Sequence, residues 1–220
     1  MFTPFADLAS DPPLRGFLHA PAQPNHSSIV LTHGAGANCQ SKLLFEMSET
    51  FAASGFTVLR FDLPFRSDRP HGPPFPGGAA RDRDGLRRAV NVMKEKEHGP
   101  VYLGGHSYGG RQSTILVSED AQLVDGLLLL SNPLHPPRKL DQLRTSHFPK
   151  LNTPAFFVHG TRDPFGTIRE MQAALKLIPA QHTLMEVDGA GHDLSIKKSF
   201  GELPTRVASE FQNFIKKSAT

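Results

Sequence analysis

The amino-acid sequence predicts an α/β fold with a mostly parallel central sheet and helices on both faces. Short apolar, β-branched segments alternate with longer segments whose apolar residues recur at helical spacing. Neither a repeat nor a linker divides the 220 residues, so we expect residues 1–220 to form a single domain. Polar and glycine-rich loops follow the apolar segments, and ligands of parallel sheets bind beyond the carboxyl ends of the strands.

Three strands and two helices are predicted before residue 100. Residues 1–13 are expected to be an irregular lead-in, and the residues at 64–78, rich in proline and glycine, a loop. The predicted strands are an edge strand at 14–19 and buried strands at 28–32 and 56–61. The two helices are marked by apolar residues at helical spacing: Leu43, Leu44, Met47 and Phe51, and then Leu86, Ala89, Val90 and Met93.

The second half of the chain continues the alternation of strands and helices. The predicted strands are 101–103, 126–131, 155–159 and 182–187. Helices are predicted at 111–117, around Ile168, Met171 and Leu175, and from Pro204 onward, with Val207, Phe211, Phe214 and Ile215 as the buried face. Residues 132–153 are rich in proline and too few for an independent lid.

A glycine-rich segment, 104–110, lies where a predicted strand turns into a helix. Gly105 and Gly109 flank Ser107 at the G-x-S-x-G spacing of a nucleophile elbow. This geometry lifts the serine hydroxyl out of the sheet and leaves backbone N–H groups at the helix start free to bind an oxyanion. The alternative is a serine that merely caps the helix.

Two further residues could activate this serine. A serine hydroxyl needs a neighbouring base, and the base needs a carboxylate that orients it. Asp163 and His192 follow predicted strands, so we expect them at the same edge of the sheet as Ser107. The order Ser–Asp–His along the chain is one of those used by serine hydrolases. Alternatively, Asp163 is a turn residue before Pro164 and His192 a surface-loop histidine.

The chain resembles the α/β-hydrolase superfamily over most of its length, in particular the small, lidless dienelactone-hydrolase-like group that includes the Tex30- and KANSL-type hydrolase-like proteins. The resemblance rests on residues 33–38, 105–110, 133–137, 159–166 and 191–192. It implies an α/β-hydrolase fold without a substantial lid domain and a Ser107–Asp163–His192 triad. It also implies an oxyanion hole made by the backbone N–H groups of Ala35 and Tyr108. Dienelactone hydrolases proper use a cysteine nucleophile, so their substrate is not transferred to this chain.

Several other residues near these motifs are candidates for contact with a substrate. The candidate substrate-binding residues are His33, Phe65, Arg66, His135 and Phe165. His33 and His106 also fit a packing or supporting role. His135 and Arg144 are either solvated loop residues or rim contacts to substrate. Cys39, which follows the predicted oxyanion loop, is expected to be a buried, inert thiol.

Composition and charge argue against several classes of partner. The chain has 38% hydrophobic and 20% charged residues and a net charge of +3, as in globular proteins. The charges are dispersed, with Arg81 and Arg83 alternating with Asp82 and Asp84, so no nucleic-acid-binding stripe is predicted. The leucine run 127–130 is too short to cross a membrane. The single cysteine and the start of the chain, which has no signal-peptide pattern, favour a cytoplasmic location.

No cofactor or metal is predicted. Gly34-Ala35-Gly36 begins a dinucleotide-binding fingerprint, but Cys39 replaces its third glycine. The frame 105–110 is followed by Arg111-Gln112, where a P-loop needs lysine and then serine or threonine. The sequence contains no H-E-x-x-H motif and no paired cysteines at metal-binding spacing.

The sequence therefore predicts a serine hydrolase of the carboxylesterase type, with a small-molecule ester as substrate. A thioesterase or a peptidase would use the same residues, and a hydrolase-like binding or scaffold protein is the non-enzymatic alternative. Residues 64–85 carry several basic side chains: Arg66, Arg69, His71, Arg81 and Arg83. We expect these to form the rim of an open site for short, water-soluble acyl groups, including groups that carry a carboxylate. The oligomeric state is left open.

Overall fold

The computed structural model describes residues 2–136 and 138–218, and eight strands in this part of the chain form one sheet. The strands are β1 (Phe2–Asp7), β2 (Leu14–His19), β3 (Ser28–Thr32), β4 (Thr57–Phe61), β5 (Val101–His106), β6 (Gly126–Leu130), β7 (Ala155–Gly160) and β8 (His182–Val187). Their order is β1-β2-β4-β3-β5-β6-β7-β8. Only the β1–β2 and β2–β4 pairings are antiparallel, which confirms the predicted mostly parallel sheet.

Helices cover both faces of the sheet because its central strands are apolar on both sides. The helices are α1 (Lys42–Ala53), α2 (Pro64–Asp68), α3 (Ala79–Lys96), α4 (Tyr108–Glu119), α5 (Ile168–Leu175) and α6 (Leu203–Ser218). Helices α3, α4 and α5 contribute to the core on one face, and α1 and α6 to the core on the other. Burial of each large apolar side chain contributes roughly 1.5–3 kcal/mol. None of the helices described is long and apolar enough to cross a membrane.

The expectation of an irregular start at residues 1–13 was wrong. Residues 2–7 form β1, which pairs antiparallel with β2, so β1 is the edge strand and β2 lies inside the sheet. Proline, here Pro4, is disfavoured in a central strand, but an edge strand tolerates it because half of its N–H groups need no partner. The ring of Phe2 also lies 5.2 Å from the guanidinium carbon of buried Arg60, a contact that no local pattern reveals.

The prediction that 64–78 is all loop was also wrong, because Pro64–Asp68 is the short helix α2. Proline is well suited to the first helical position, where its missing N–H would have no partner. The connection between β6 and β7 is as short as predicted. Its only helical turn among the residues described is the 3₁₀ turn Phe148–Lys150, so this connection carries no lid domain.

Helix α4 packs unusually close to strands β3 and β5. A Cβ atom on Gly109 would lie 2.5 Å from Cγ2 of Thr32 and 2.7 Å from the carbonyl oxygen of His33. A Cβ atom on Gly105 would lie 2.9 Å from the backbone carbon of Gly109. All three distances are shorter than van der Waals contact. The glycines of the G-x-S-x-G pattern are therefore required for the approach of helix to strand.

Candidate active site

Ser107 occupies the single residue between β5 and α4. Its backbone has φ 51° and ψ −112°, in the region that side-chain-bearing residues rarely adopt. Such a conformation costs on the order of 1–3 kcal/mol and persists only where the surroundings enforce it. The Ser107 N–H donates to the carbonyl of Leu130 in β6 at 2.8 Å, and the Ser107 carbonyl accepts from the N–H of Arg111 at 2.9 Å. The turn is thus tied to both a strand and a helix.

Two hydrogen bonds connect Ser107 with the two residues predicted to assist it. Oγ of Ser107 lies 2.8 Å from Nε2 of His192, and Nδ1 of His192 lies 2.8 Å from Oδ2 of Asp163. The Asp163 side chain is fully buried, whereas the His192 side chain is 21% exposed. Because an ionised carboxylate only accepts hydrogen bonds, the Nδ1 proton of His192 points to Asp163. Nε2 is then free to accept the proton of the Ser107 hydroxyl.

Asp163 and His192 are held in place by the loops that follow β7 and β8. The other carboxylate oxygen of Asp163, Oδ1, accepts from the N–H of Phe165 at 2.8 Å. The Phe165 ring lies against the His192 ring, with 4.2 Å between their centroids. Nε2 of His106 donates to the carbonyl of His192 at 2.8 Å. Burial lowers the pKa of His106 to about 4, so this ring is neutral at physiological pH.

Ala35 and Tyr108, the two residues predicted to form the oxyanion hole, line the same cavity as Ser107. Neither backbone N–H group donates a hydrogen bond to any other residue that the structure describes. Tyr108 is the first residue of α4, where N–H groups lack partners within the helix. The two amides are therefore available to an oxygen atom bound in the cavity.

Two buried side chains, those of Arg66 and His33, donate hydrogen bonds to the loop that carries Ala35. The guanidinium of Arg66 donates to the carbonyls of Ala35 and Ala37, each at 2.8 Å, and also bonds two carbonyls of the 69–72 loop. Nδ1 of His33 donates to the carbonyl of Gly34 at 2.9 Å, while Nε2 accepts from the N–H of Leu63 at 3.1 Å. Burial lowers the pKa of His33, which favours this neutral form. Both residues position the loop.

Tyr108 is held by a buried carboxylate that sequence reasoning missed. The Tyr108 hydroxyl donates to Oδ2 of Asp82 at 2.7 Å, and the N–H of Phe65 donates to Oδ1 at 3.0 Å. Asp82 has no exposed surface, and burial raises its pKa although these two hydrogen bonds oppose the rise. A signal was present in the sequence. Asp82 lies four residues before Leu86, on the apolar face of α3 rather than on its solvated side.

The cavity above Ser107 has a volume of about 480 Å³. Of the five candidate substrate-binding residues, only Phe165 lines it. His33 and Phe65 lie behind it in the interior, and Arg66 borders a neighbouring hollow instead. His135 is buried, with Nδ1 donating to the carbonyl of Pro136 at 3.0 Å. Pro137, part of the proline-rich segment used for the resemblance, lies outside the described residues.

The expectation of a basic rim from residues 64–85 was wrong. The cavity is instead lined by two arginines from other elements, Arg111 of α4 and Arg144 of the connection between β6 and β7. Cys39 is buried, and burial raises the pKa of its thiol to about 12, so it stays protonated. Within residues 2–136 and 138–218, no group of three or more histidine, cysteine or acidic side chains could hold a metal ion.

Comparisons with known proteins agree with this architecture. A family model described as an alpha/beta hydrolase domain matches residues 25–219. An alpha-beta serine hydrolase homologue from Coxiella burnetii has 15% sequence identity and a TM-score of 0.77, with 94% of this chain and 96% of that chain covered. Dienelactone hydrolase from Anabaena variabilis has 19% identity and a TM-score of 0.76, with 99% and 98% covered. A lidless alpha/beta serine hydrolase from Xanthomonas campestris has 14% identity and a TM-score of 0.70, with 96% and 94% covered.

At such low identities the structural likeness concerns the fold, whereas the family match concerns the sequence itself. Together they confirm the predicted resemblance to α/β hydrolases, including dienelactone-hydrolase-like proteins, and the predicted fold without a substantial lid.

Replacing Tyr108 by phenylalanine should destabilise the fold, because it leaves a buried carboxylate of Asp82 without its hydroxyl donor. We expect a loss of about 1–3 kcal/mol in the free energy of unfolding at neutral pH, measured by urea denaturation. The variant removes a hydrogen bond that lowers the pKa of Asp82, so that pKa rises further. In the folded variant Asp82 therefore stays protonated to a higher pH than in the unfolded chain. As the pH falls toward 3.8, the ordinary pKa of an aspartate, the difference in unfolding free energy between wild type and variant should shrink.

Tyr102→Phe is the matched control, since Tyr102 is the chain's other tyrosine and is also buried. Its hydroxyl makes no hydrogen bond to another described residue, so the expected change is below about 0.5 kcal/mol. Equal losses in the two variants would contradict a specific role for the Tyr108–Asp82 bond.

Proposed function

The chain belongs to the alpha/beta hydrolase family, and on that premise we propose that it is a serine hydrolase that cleaves small, water-soluble carboxylic esters through an acyl-enzyme on Ser107. The observation that carries the proposal is the pair of 2.8 Å hydrogen bonds that connect Ser107, His192 and the buried Asp163 at the floor of one cavity. A serine that only capped a helix would not need this arrangement, and Ser107 makes no side-chain hydrogen bond to its helix.

The proposed reaction proceeds in two halves. Oγ of Ser107 attacks the ester carbonyl carbon while its proton passes to Nε2 of His192, and the carbonyl oxygen becomes an oxyanion. The oxyanion binds the N–H groups of Ala35 and Tyr108. When the tetrahedral intermediate collapses, the bond to the alcohol oxygen breaks and His192 returns the proton to the leaving alcohol. Water then attacks the acyl-enzyme by the same steps, which release the carboxylic acid and restore Ser107.

Asp163 would act on His192 rather than on the substrate. It accepts the Nδ1 proton of His192, which keeps Nε2 free to take the serine proton and stabilises the imidazolium that forms. The bond from the Phe165 N–H and the full burial of the carboxylate fix its orientation. The ring of Phe165, packed on His192, limits the imidazole to the plane that serves both bonds.

Ser107→Ala should abolish covalent labelling by a fluorophosphonate probe, because the probe reacts only with an activated serine hydroxyl. Intact-mass spectrometry at neutral pH should show one adduct on the wild-type protein and none on the variant. Turnover of 4-nitrophenyl acetate should fall on the order of 10⁴-fold or more.

Asp163→Asn and His192→Ala serve as companions to this experiment. Each substitution should slow labelling severely. The double variant should be labelled only slightly more slowly than either single variant, because the three residues work as a unit. Labelling that persists in Ser107→Ala, or wild-type protein that no probe labels, would refute the proposed nucleophile.

The size of the acyl group is a second testable part of the proposal. The cavity has a volume of about 480 Å³, and the connection between β6 and β7 forms no helical lid over it in its described part. Each methylene of an acyl chain adds about 0.8 kcal/mol only while there is apolar wall to bury it against. We therefore expect kcat/KM on neutral 4-nitrophenyl esters to peak between acetate and butyrate and to fall for longer chains. A profile that still rises at octanoate would indicate a deep acyl pocket instead.

A further inference from the structure

Arg111 and Arg144 line the cavity that contains Ser107 and His192, and neither guanidinium is paired with another residue that the structure describes. No described residue accepts a hydrogen bond or forms an ion pair with either side chain. Nε of Arg111 is buried and has no hydrogen-bond partner. Both arginines are half-buried, so the unpaired and fully buried Nε of Arg111 is the notable feature, because buried polar groups are normally hydrogen-bonded. Arg66, which bonds four carbonyls, shows the usual arrangement in this same molecule.

The backbone holds both arginines close to the proposed reaction centre. The N–H of Arg111 donates to the carbonyl of Ser107 at 2.9 Å, so Arg111 lies one helical turn after the serine. The N–H of Arg144 donates to the carbonyl of Leu134 at 2.6 Å, which ties its loop to the end of β6. The two guanidiniums thus reach one cavity from separate elements.

The groups around Arg111 add no negative charge. Arg144 and Arg83 are both near enough to lower the pKa of Arg111, although burial is the larger cause. The hydroxyl of Tyr108 is neutral and bonded to Asp82. The neighbouring His147 is also uncharged, because burial, and secondarily the charge of Arg111, lower its pKa to about 4. Arg111 and Arg144 therefore bring two positive charges to the cavity, and no carboxylate among the described residues is bonded to either guanidinium.

We propose that Arg111 and Arg144 bind a carboxylate of the substrate, so that the preferred ester carries this group a few atoms from the scissile carbonyl. This inference rests on the proposed function, since it names the substrate class of the same site. A guanidinium offers parallel N–H donors that match the two oxygens of a carboxylate. An anion here would supply the partner that each arginine lacks. Binding of this carboxylate would also hold the ester carbonyl of a short substrate beside Ser107, which a cavity without a lid otherwise does poorly.

The test compares esters that carry a carboxylate with neutral esters of the same acyl chain length that lack it. One pair, 4-nitrophenyl hemiglutarate and 4-nitrophenyl pentanoate, places the carboxylate on the acyl side. A second pair, 4-acetoxybenzoate and phenyl acetate, places it on the alcohol side. In at least one pair, kcat/KM for the charged ester should exceed that for the neutral ester by about tenfold or more, after subtraction of the rate with Ser107→Ala.

The arginine variants then assign the effect. Arg111→Met and Arg144→Met should each lower this charged-to-neutral ratio by about tenfold or more. Arg83→Met is the matched control. It removes the same charge from the surroundings of Arg111, but Arg83 bonds Gln112 and does not line the cavity. Its ratio should stay within about threefold of the wild-type ratio, as expected for a partly screened charge. A wild-type ratio near one in both pairs, or a ratio that neither cavity variant alters, would overturn the inference.

A binding measurement separates this inference from the proposed function. Glutarate should bind to Ser107→Ala in isothermal titration calorimetry, and binding should be lost when Arg111→Met is added. If the wild type hydrolyses no ester but glutarate still binds through Arg111, the proposed function fails and the carboxylate site stands. If neither glutarate binding nor a charged-to-neutral preference is found, the carboxylate site is refuted. Inorganic phosphate that binds more tightly than glutarate would overturn the assignment to a carboxylate.

Discussion

Strand β5 ends one residue before helix α4 begins, and Ser107 alone makes the change of direction, with φ 51°. The strain is maintained because α4 packs too close to β3 and β5 for any side chain at Gly105 or Gly109. Relaxing the turn would separate helix from strand and expose apolar surface of the core. The same packing fixes the start of α4, and with it the Tyr108 N–H and the Arg111 side chain. The strained turn at Ser107 and the packing of α4 thus set the positions of the Ser107 hydroxyl, the Tyr108 N–H and the Arg111 side chain.

The polar groups around this turn divide into two sets that differ in how well they are satisfied. Arg66, His33 and Asp82 are buried; the first two bond carbonyls of the loop that carries Ala35, and Asp82 bonds the hydroxyl of Tyr108 at the start of α4. They resemble the polar networks that make an interior rigid when every member has a partner. Arg111 and Arg144 line the cavity and have no such partner among the described residues. The carboxylate that we propose as part of the substrate would supply that partner.

The sequence was informative wherever a residue's position followed from the strand and helix pattern. Ser107, Asp163 and His192 each follow a predicted strand, so parallel pairing alone placed them at one edge. The roles of Arg66, Asp82 and Arg111 depend on contacts between distant segments, such as the Tyr108–Asp82 bond between residues of different helices. Because such contacts cannot be read from the sequence, the basic residues of 64–85 were wrongly expected to form the rim of the cavity. Arg66 carries the right charge but turns away from the cavity to bond carbonyls. Likewise, β1 is stabilised by pairing with β2 rather than by its own composition.

We propose that one cavity combines an activated Ser107 with an oxyanion site at Ala35 and Tyr108. A crystal structure of the protein after reaction with a small fluorophosphonate tests both parts in one measurement. The phosphorus should be bonded to Oγ of Ser107. The phosphonyl oxygen should lie about 2.7–3.1 Å from the backbone nitrogens of both Ala35 and Tyr108. An adduct on another residue, or a phosphonyl oxygen directed away from these two nitrogens, would contradict the claim.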